Sequence, residues 1–207
     1  MARIRLSKHE LARQRKQLAL YQKLLPSLDL KRRQLTVELA KAEAQFEATR
    51  FAVDELETRI GAALPMLAFR EIDVRGMVEL TAVELAEENV VGARLPVLDH
   101  IECAVADYSL LGKPAWVDVL VERLREAATE RIRVQVAQER VRRLAMAVRR
   151  TTQRVNLFDK VLIPEAREAI RRIMIYMGDQ ERAAVVNAKL AKAKLKQQQT
   201  SLAAEES

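Results

Sequence analysis

Hydrophobic residues recur every seven positions along the first third of the chain. One column begins at Leu11 and continues to Ile60, and a second column three positions later includes Leu35 and Leu56. A seam of this kind, sustained over many heptads, predicts a long helix that is paired with another helix. We therefore predict that residues 1–66 form an N-terminal long helix.

A second heptad pattern occupies the last part of the chain. One column runs from Leu120 to Tyr176 and is apolar throughout, whereas its companion, from Leu124 to Ile173, is half polar. The pattern predicts that residues 115–196 form a C-terminal long helix whose seam is narrow and partly polar.

Three places interrupt this helical pattern. Pro26 and Pro164 each remove one backbone hydrogen bond, so each predicts a local bend in its helix. Residues 197–207 are polar and predict a disordered tail.

The segment between the two predicted helices, residues 67–114, is more acidic than either helix and contains shorter apolar runs. Its Val-rich runs Met77–Leu85 and Ala93–Ala104 predict two strands, and residues 88–92 could connect them as a hairpin loop. Two long helices that flank such an insertion can pair only in antiparallel fashion. The predicted fold is therefore mainly α: a long antiparallel two-helix coiled coil with a small β-hairpin-containing insertion.

Composition supports long helices over a thick globular core. The chain has 207 residues, only 5 Gly and 5 Pro, 4% aromatic residues and 31% charged residues. Its net charge of +7 permits an acidic protein partner, an anionic membrane surface or nucleic acid. The single cysteine rules out an intrachain disulfide, and no apolar stretch is long enough to span a bilayer. We expect a cytoplasmic protein.

The sequence contains no recognisable catalytic constellation. It lacks the Gly-rich loop followed by Lys and Ser or Thr that cradles nucleotide phosphates. The two histidines, His9 and His100, have no partner at metal-ligand spacing. We expect no enzyme activity, no cofactor and no metal site.

The second helix carries two adjacent arginine pairs, Arg142-Arg143 and Arg149-Arg150, followed by Arg154. They fit a solvated helix face, a docking surface for an acidic partner, or a phosphate-binding surface. Nucleic-acid-binding modules usually add aromatic residues for base stacking, and these runs have almost none nearby.

Two stretches of the second helix resemble a known family. Residues 149–158 read Arg-Arg-Thr-Thr-Gln-Arg-Val-Asn-Leu-Phe, and residues 161–164 read Val-Leu-Ile-Pro. Together they resemble the C-terminal signature of the D subunit of the V/A-type ATPases and ATP synthases, the central rotor stalk. The stretches 6–32 and 88–96 resemble the same family, so the likeness covers most of the chain.

This resemblance implies a non-catalytic rotor-shaft subunit that transmits torque between a catalytic head and a membrane rotor ring, in ATP synthesis or ion transport. The implied partners are the catalytic and non-catalytic head subunits, the small stalk F subunit and a membrane-ring connector subunit, with no nucleic acid. The implied location is cytoplasmic and peripheral to the membrane. The alternatives are a generic coiled-coil scaffold and a basic nucleic-acid-binding protein. The expected partner-binding residues are Arg142, Arg143, Arg149, Arg150, Arg154, Asn156 and Pro164.

Overall fold

The computed structural model describes residues 5–63, 76–106 and 116–205. Within these ranges, three α-helices and a two-stranded antiparallel hairpin confirm the predicted mainly α fold. None of the helices in these ranges is long and apolar enough to cross a membrane. In chain order the elements are α1 (Lys8–Ala63), β1 (Val78–Val90), β2 (Ala93–Val105), α2 (Trp116–Leu157), a π-helical turn (Phe158–Leu162) and α3 (Ile163–Glu205). The outer parts of the predicted insertion, 67–75 and 107–114, lie outside the described residues.

The chain forms two compact units. The hairpin unit comprises Asp29–Thr152, and the terminal unit comprises Met1–Leu28 together with Gln153–Ser207. Helices α1 and α2 each contribute to both units, whereas the strands belong to the hairpin unit and α3 to the terminal unit.

Helix α1 begins at a side-chain cap and continues without interruption to Ala63. The Ser7 hydroxyl oxygen accepts a hydrogen bond from the Glu10 backbone N–H at 3.2 Å, which satisfies one of the free donors of the first turn. The helix continues through Pro26. The bends predicted at Pro26 and Pro164 stay predictions.

Burial along α1 follows the predicted heptads. From Leu11 to Ile60, every position of the two columns is buried or half-buried. In the hairpin unit, Leu35 packs with Leu144 of α2, and Glu57 accepts a hydrogen bond from Arg131 at 2.6 Å. Later residues of α1 therefore contact earlier residues of α2, so the two helices are antiparallel in the hairpin unit.

Helix α2 buries a different companion column from the one predicted. The strict seven-residue spacing predicted Ala145 and Thr152 on the seam, but Ala145 is exposed and Thr152 is half-buried. The buried residues are Leu144 and Thr151, each one position earlier. An α-helix has 3.6 residues per turn, so a buried stripe drifts relative to a strict heptad. The seam of α2 therefore buries a larger apolar side chain than predicted, since Leu144 replaces Ala145.

The π-helical turn inserts one extra residue between α2 and α3. The Ile163 N–H donates to the Phe158 carbonyl, five residues back, in place of the usual four. The buried positions on the two sides, Val155 and Ile163, are accordingly eight residues apart. The strict heptad that predicted burial at Tyr176 is wrong at that position, where the residue is 38% exposed.

Helix α3 continues through Glu205, into the polar segment 197–207. The disorder that we predict for that segment stays a prediction. Residues 197–205 contain no Gly or Pro and consist largely of Gln, Ala, Leu and Glu, which are good helix formers. This composition is compatible with the helix that the structure has there.

The hairpin is tighter and longer than the sequence predicted. Strand β1 extends to Val90, and the connection is the two-residue turn Val91-Gly92 in place of a five-residue loop. Both turn residues have positive φ, 51° and 80°, as a type I′ hairpin turn requires. Asn89 stabilises the turn, because its side-chain oxygen accepts the Gly92 N–H at 2.9 Å. Positive φ strains a β-branched residue, and Val91 packs in this conformation against the core cluster of Leu35, Leu95 and Leu144.

Candidate partner-binding surface

The first arginine pair of α2 shares one carboxylate. Arg142 donates to both oxygens of Glu139, at 2.6 and 2.8 Å, and Arg143 donates to Glu139 Oε1 at 2.9 Å. The hydrogen bonds from Arg142 and then Arg143 lower the pKa of Glu139 from 4.5 to about 2. The same contact raises the pKa of Arg142. Glu139 thus offsets one of the two positive charges.

Arg143 and its neighbour Arg140 also hold the hairpin. Arg140 donates to the Pro96 carbonyl at 3.1 Å and to Glu88 Oε2 at 3.0 Å, while Arg143 donates to the Arg94 carbonyl at 3.3 Å. These bonds use the fork of donors that only a guanidinium supplies. Part of the basic face of α2 therefore has a structural role within the hairpin unit.

The second pair, Arg149 and Arg150, is placed differently. Both side chains are exposed, and within the described ranges neither forms an ion pair. Each lies seven residues beyond its counterpart in the first pair, so the pairs share a face about 10 Å apart along the helix. This pair presents an undiminished double charge to solvent.

The remaining predicted residues lie in the terminal unit. Arg154, Asn156 and Pro164 are all exposed, next to the buried Val155 and Ile163. Of the predicted residues, the structure brings only Arg142 and Arg143 together, through their shared partner Glu139. The other five are solvent-facing positions whose binding role stays a prediction.

The distal part of α3 is fully exposed as well. Every side chain from residue 179 to 194 is exposed, including Val185, Val186 and Leu190, each about half accessible or more. Between residues 182 and 194 this part carries basic residues and no acidic one: Arg182, Lys189, Lys192 and Lys194. A basic helix with uncovered valine and leucine is suited to contact another protein.

Sequence reasoning missed the residues that fix the hairpin. Arg140 was not separated from the other arginines, and its role depends on Glu88 and Pro96, which are remote in sequence. Leu95 and Leu144 were missed as partners, although Leu144 lies one position from a predicted column. Only the small turn residues Asn89 and Gly92 gave a local signal of the tight turn.

No group of three or more His, Cys, Asp or Glu side chains that could hold a metal occurs among the residues in 5–63, 76–106 and 116–205. His100 lies 3.5 Å from Glu102, and both side chains are 60% exposed. This geometry is that of a solvated surface pair.

Comparisons with known proteins show the family of this chain. The family model for the ATP synthase D subunit matches residues 10–193. The V-type ATP synthase D subunit of Borreliella burgdorferi is 32% identical over 195 residues, covering 94% of this chain and 96% of the relative. Those of Chlamydia felis and Chlamydia caviae are 33% and 32% identical, with 95% of both chains covered in each case. The chain therefore belongs to the family of ATP synthase D subunits.

Proposed function

We propose that this chain is the non-catalytic central-stalk subunit of a V/A-type ATPase or ATP synthase, which transmits torque between the catalytic head and the membrane rotor ring. The observation that carries the proposal is membership of the D-type family over residues 10–193. Transmission of torque requires stiffness along the helix axis, and paired helices with sustained heptad burial supply it.

The proposed contact with the head is made by basic, exposed helix surface. Arg149 and Arg150 have no ion pair within the described residues, and α3 is exposed from residue 179 to 194. Solvent-screened ion pairs are individually weak, about 0–1 kcal/mol, so a rotor can pass from one acidic partner to the next. Deep apolar contacts would oppose that movement.

The proposed partners are the catalytic and non-catalytic head subunits, the small stalk F subunit and a connector to the membrane ring. The chain would be peripheral to the membrane and reach it through these partners. Arg154, Asn156 and Pro164 belong to the proposed contact surface because all three are exposed.

The test is reconstitution of the purified full-length chain with head and stalk subunits. Arg149→Gln with Arg150→Gln is expected to weaken head assembly or to lower ATP-driven ion transport per ATP hydrolysed, while helix content is unchanged. Arg142→Gln with Arg143→Gln is the matched control for charge, because Glu139 already offsets half of that pair's charge. We expect a smaller loss from this second pair.

The two readouts separate assembly from coupling. Co-purification of the head measures assembly, and the ratio of ions transported to ATP hydrolysed measures coupling. A third variant combines the four substitutions at Arg142, Arg143, Arg149 and Arg150. Normal co-purification and a normal ion-to-ATP ratio for this variant would exclude a role for the surface in binding the head. Failure of the unmodified chain to assemble with the head would contradict the central-stalk function itself.

A further inference from the structure

Strand β1 is an exposed edge strand. All but three of its residues from Val78 to Val90 are exposed, whereas β2 buries Leu95 and Pro96 against the helices. Among the described residues, the backbone of β1 has no hydrogen-bond partner other than β2. The sheet has two strands, so one full side of the β1 ladder faces solvent.

The two faces of β1 differ near the hairpin tip. Glu88 is hydrogen-bonded to Arg140, and Val90 packs against the hydrophobic core. The side chains at this set of alternate positions therefore face the helices. Residues at the intervening positions face away from the helices, since side chains alternate along a strand. Of these, Val83 and Leu85 are 36% and 54% exposed. Apolar side chains therefore lie beside the unpaired backbone edge.

The negative charge of this edge favours a basic partner. Residues 78–90 contain four glutamates and no Lys or Arg: Glu79, Glu84, Glu87 and Glu88. A second copy of β1 on the same edge would place glutamates opposite glutamates, which is destabilising. Glu87 and Glu88 already form ion pairs with Arg94 and Arg140, which leaves Glu79 and Glu84. A strand carrying Lys or Arg between apolar residues would instead match these two carboxylates and the exposed Val83 and Leu85.

We propose that the outer edge of β1 is a docking site for an extended, basic segment of a partner protein, which adds to the hairpin as a third strand. Backbone hydrogen bonds give such a complex its affinity, and alternate side chains give it specificity. Edge strands in proteins are usually protected by Lys, Pro, inward-pointing charge or β-bulges. Strand β1 has neither Lys nor Pro, and its register is irregular between Leu80 and Ala82 and between Glu84 and Leu85, so residues 85–90 form the longest regular part of its edge. The proposal concerns the hairpin unit alone and is independent of the rotor function.

The test uses the full-length chain and a short soluble peptide in which Arg alternates with Val. Binding is measured by titration, and its position is mapped by hydrogen exchange of backbone amides. The expected result is saturable binding with new protection of amides in β1. A control peptide of the same charge, N-methylated at alternate residues, cannot donate along one edge and is expected not to bind.

The charge requirement is tested on the protein. Glu79→Lys with Glu84→Lys is expected to weaken binding of the Arg-Val peptide about tenfold, because two attractions become repulsions. Asp99→Lys with Glu102→Lys makes the same charge change on exposed residues of β2 and is expected to weaken it about twofold. Circular dichroism checks that both variants keep their helix content.

Four outcomes would overturn the proposal. They are absence of peptide binding, equal binding of the N-methylated peptide, protection confined to segments other than β1, and equal losses for the two charge-reversal variants. A concentration-dependent dimer whose interface protects β1 would show that a second copy, and not a basic partner, occupies the edge.

Discussion

The two units of the chain bury their seams in different ways. In the hairpin unit, the strands add a third layer over the paired helices, and Leu35, Leu95 and Leu144 from three different elements are each 1% exposed. In the terminal unit, the buried stripe of α3 consists of Ile163, Ala166, Ala169 and Ile173, and no described side chain from 179 to 194 is buried.

The difference follows from the number of layers available to each unit. Two helices alone bury one narrow stripe, and small residues such as Ala166 fill it without much apolar area. A hairpin laid across two helices covers more surface and admits large side chains such as Leu95. The hairpin unit thus buries large apolar side chains within itself, whereas the described side chains of α3 from residue 179 to 194 stay exposed.

The strongest test of this comparison is removal of the central side chain of the hairpin. Leu95→Ala is expected to lower the free energy of unfolding by about 2–5 kcal/mol, because a buried leucine leaves a cavity between three elements. Leu85→Ala on the neighbouring strand is the control, since that side chain is 54% exposed, and should change stability by less than about 0.5 kcal/mol. Urea unfolding measures both, and similar losses would show that the hairpin does not pack as described.

The hairpin turn gives the next largest effect. Gly92 has φ of 80°, and a Cβ added there would lie 2.9 Å from Lys31 Nζ. Gly92→Ala is expected to cost about 1–2 kcal/mol, mainly from backbone strain, because the lysine end can move aside. The same denaturation experiment measures it, and a stabilised variant would contradict the turn geometry.

Some features of the fold could be predicted from the sequence, and others could not. The heptads of α1 and the position of the hairpin were predictable, because periodicity is a local property of sequence. The extra residue of the π-helical turn could not be predicted, since it depends on how α3 continues from α2 at Ile163 and Pro164. The roles of Arg140 and Leu95 depend on pairings between remote segments, which one sequence does not reveal. Arg149 and Arg150 were predicted as exposed charge, but Glu139 as the partner of the first pair was not.

Within the terminal unit, a glycine gives a smaller effect of opposite sign. Gly178 lies inside α3, and an added Cβ would meet only the flexible end of Arg182, at 4.0 Å. Gly178→Ala is therefore expected to raise the free energy of unfolding by about 0.5–1 kcal/mol, the difference in helix propensity. Measuring the change in unfolding free energy for Gly178→Ala and Gly92→Ala in one denaturation series compares the terminal unit with the hairpin unit. A destabilising Gly178→Ala would mean that this part of α3 is not a regular exposed helix.

The smallest expected effect is a pH response at Glu139. Because Arg142 and Arg143 lower its pKa from 4.5 to about 2, the contribution of this carboxylate to stability is present above pH 4.5. It is lost as the pH falls through about 2, where the folded protein takes up the proton. Carboxyl NMR of the full chain should give a midpoint near 2 for Glu139, and Arg142→Gln with Arg143→Gln should move it towards 4.5. An unshifted midpoint in both proteins would mean that solvent separates the three side chains, leaving the first arginine pair as free to bind a partner as the second.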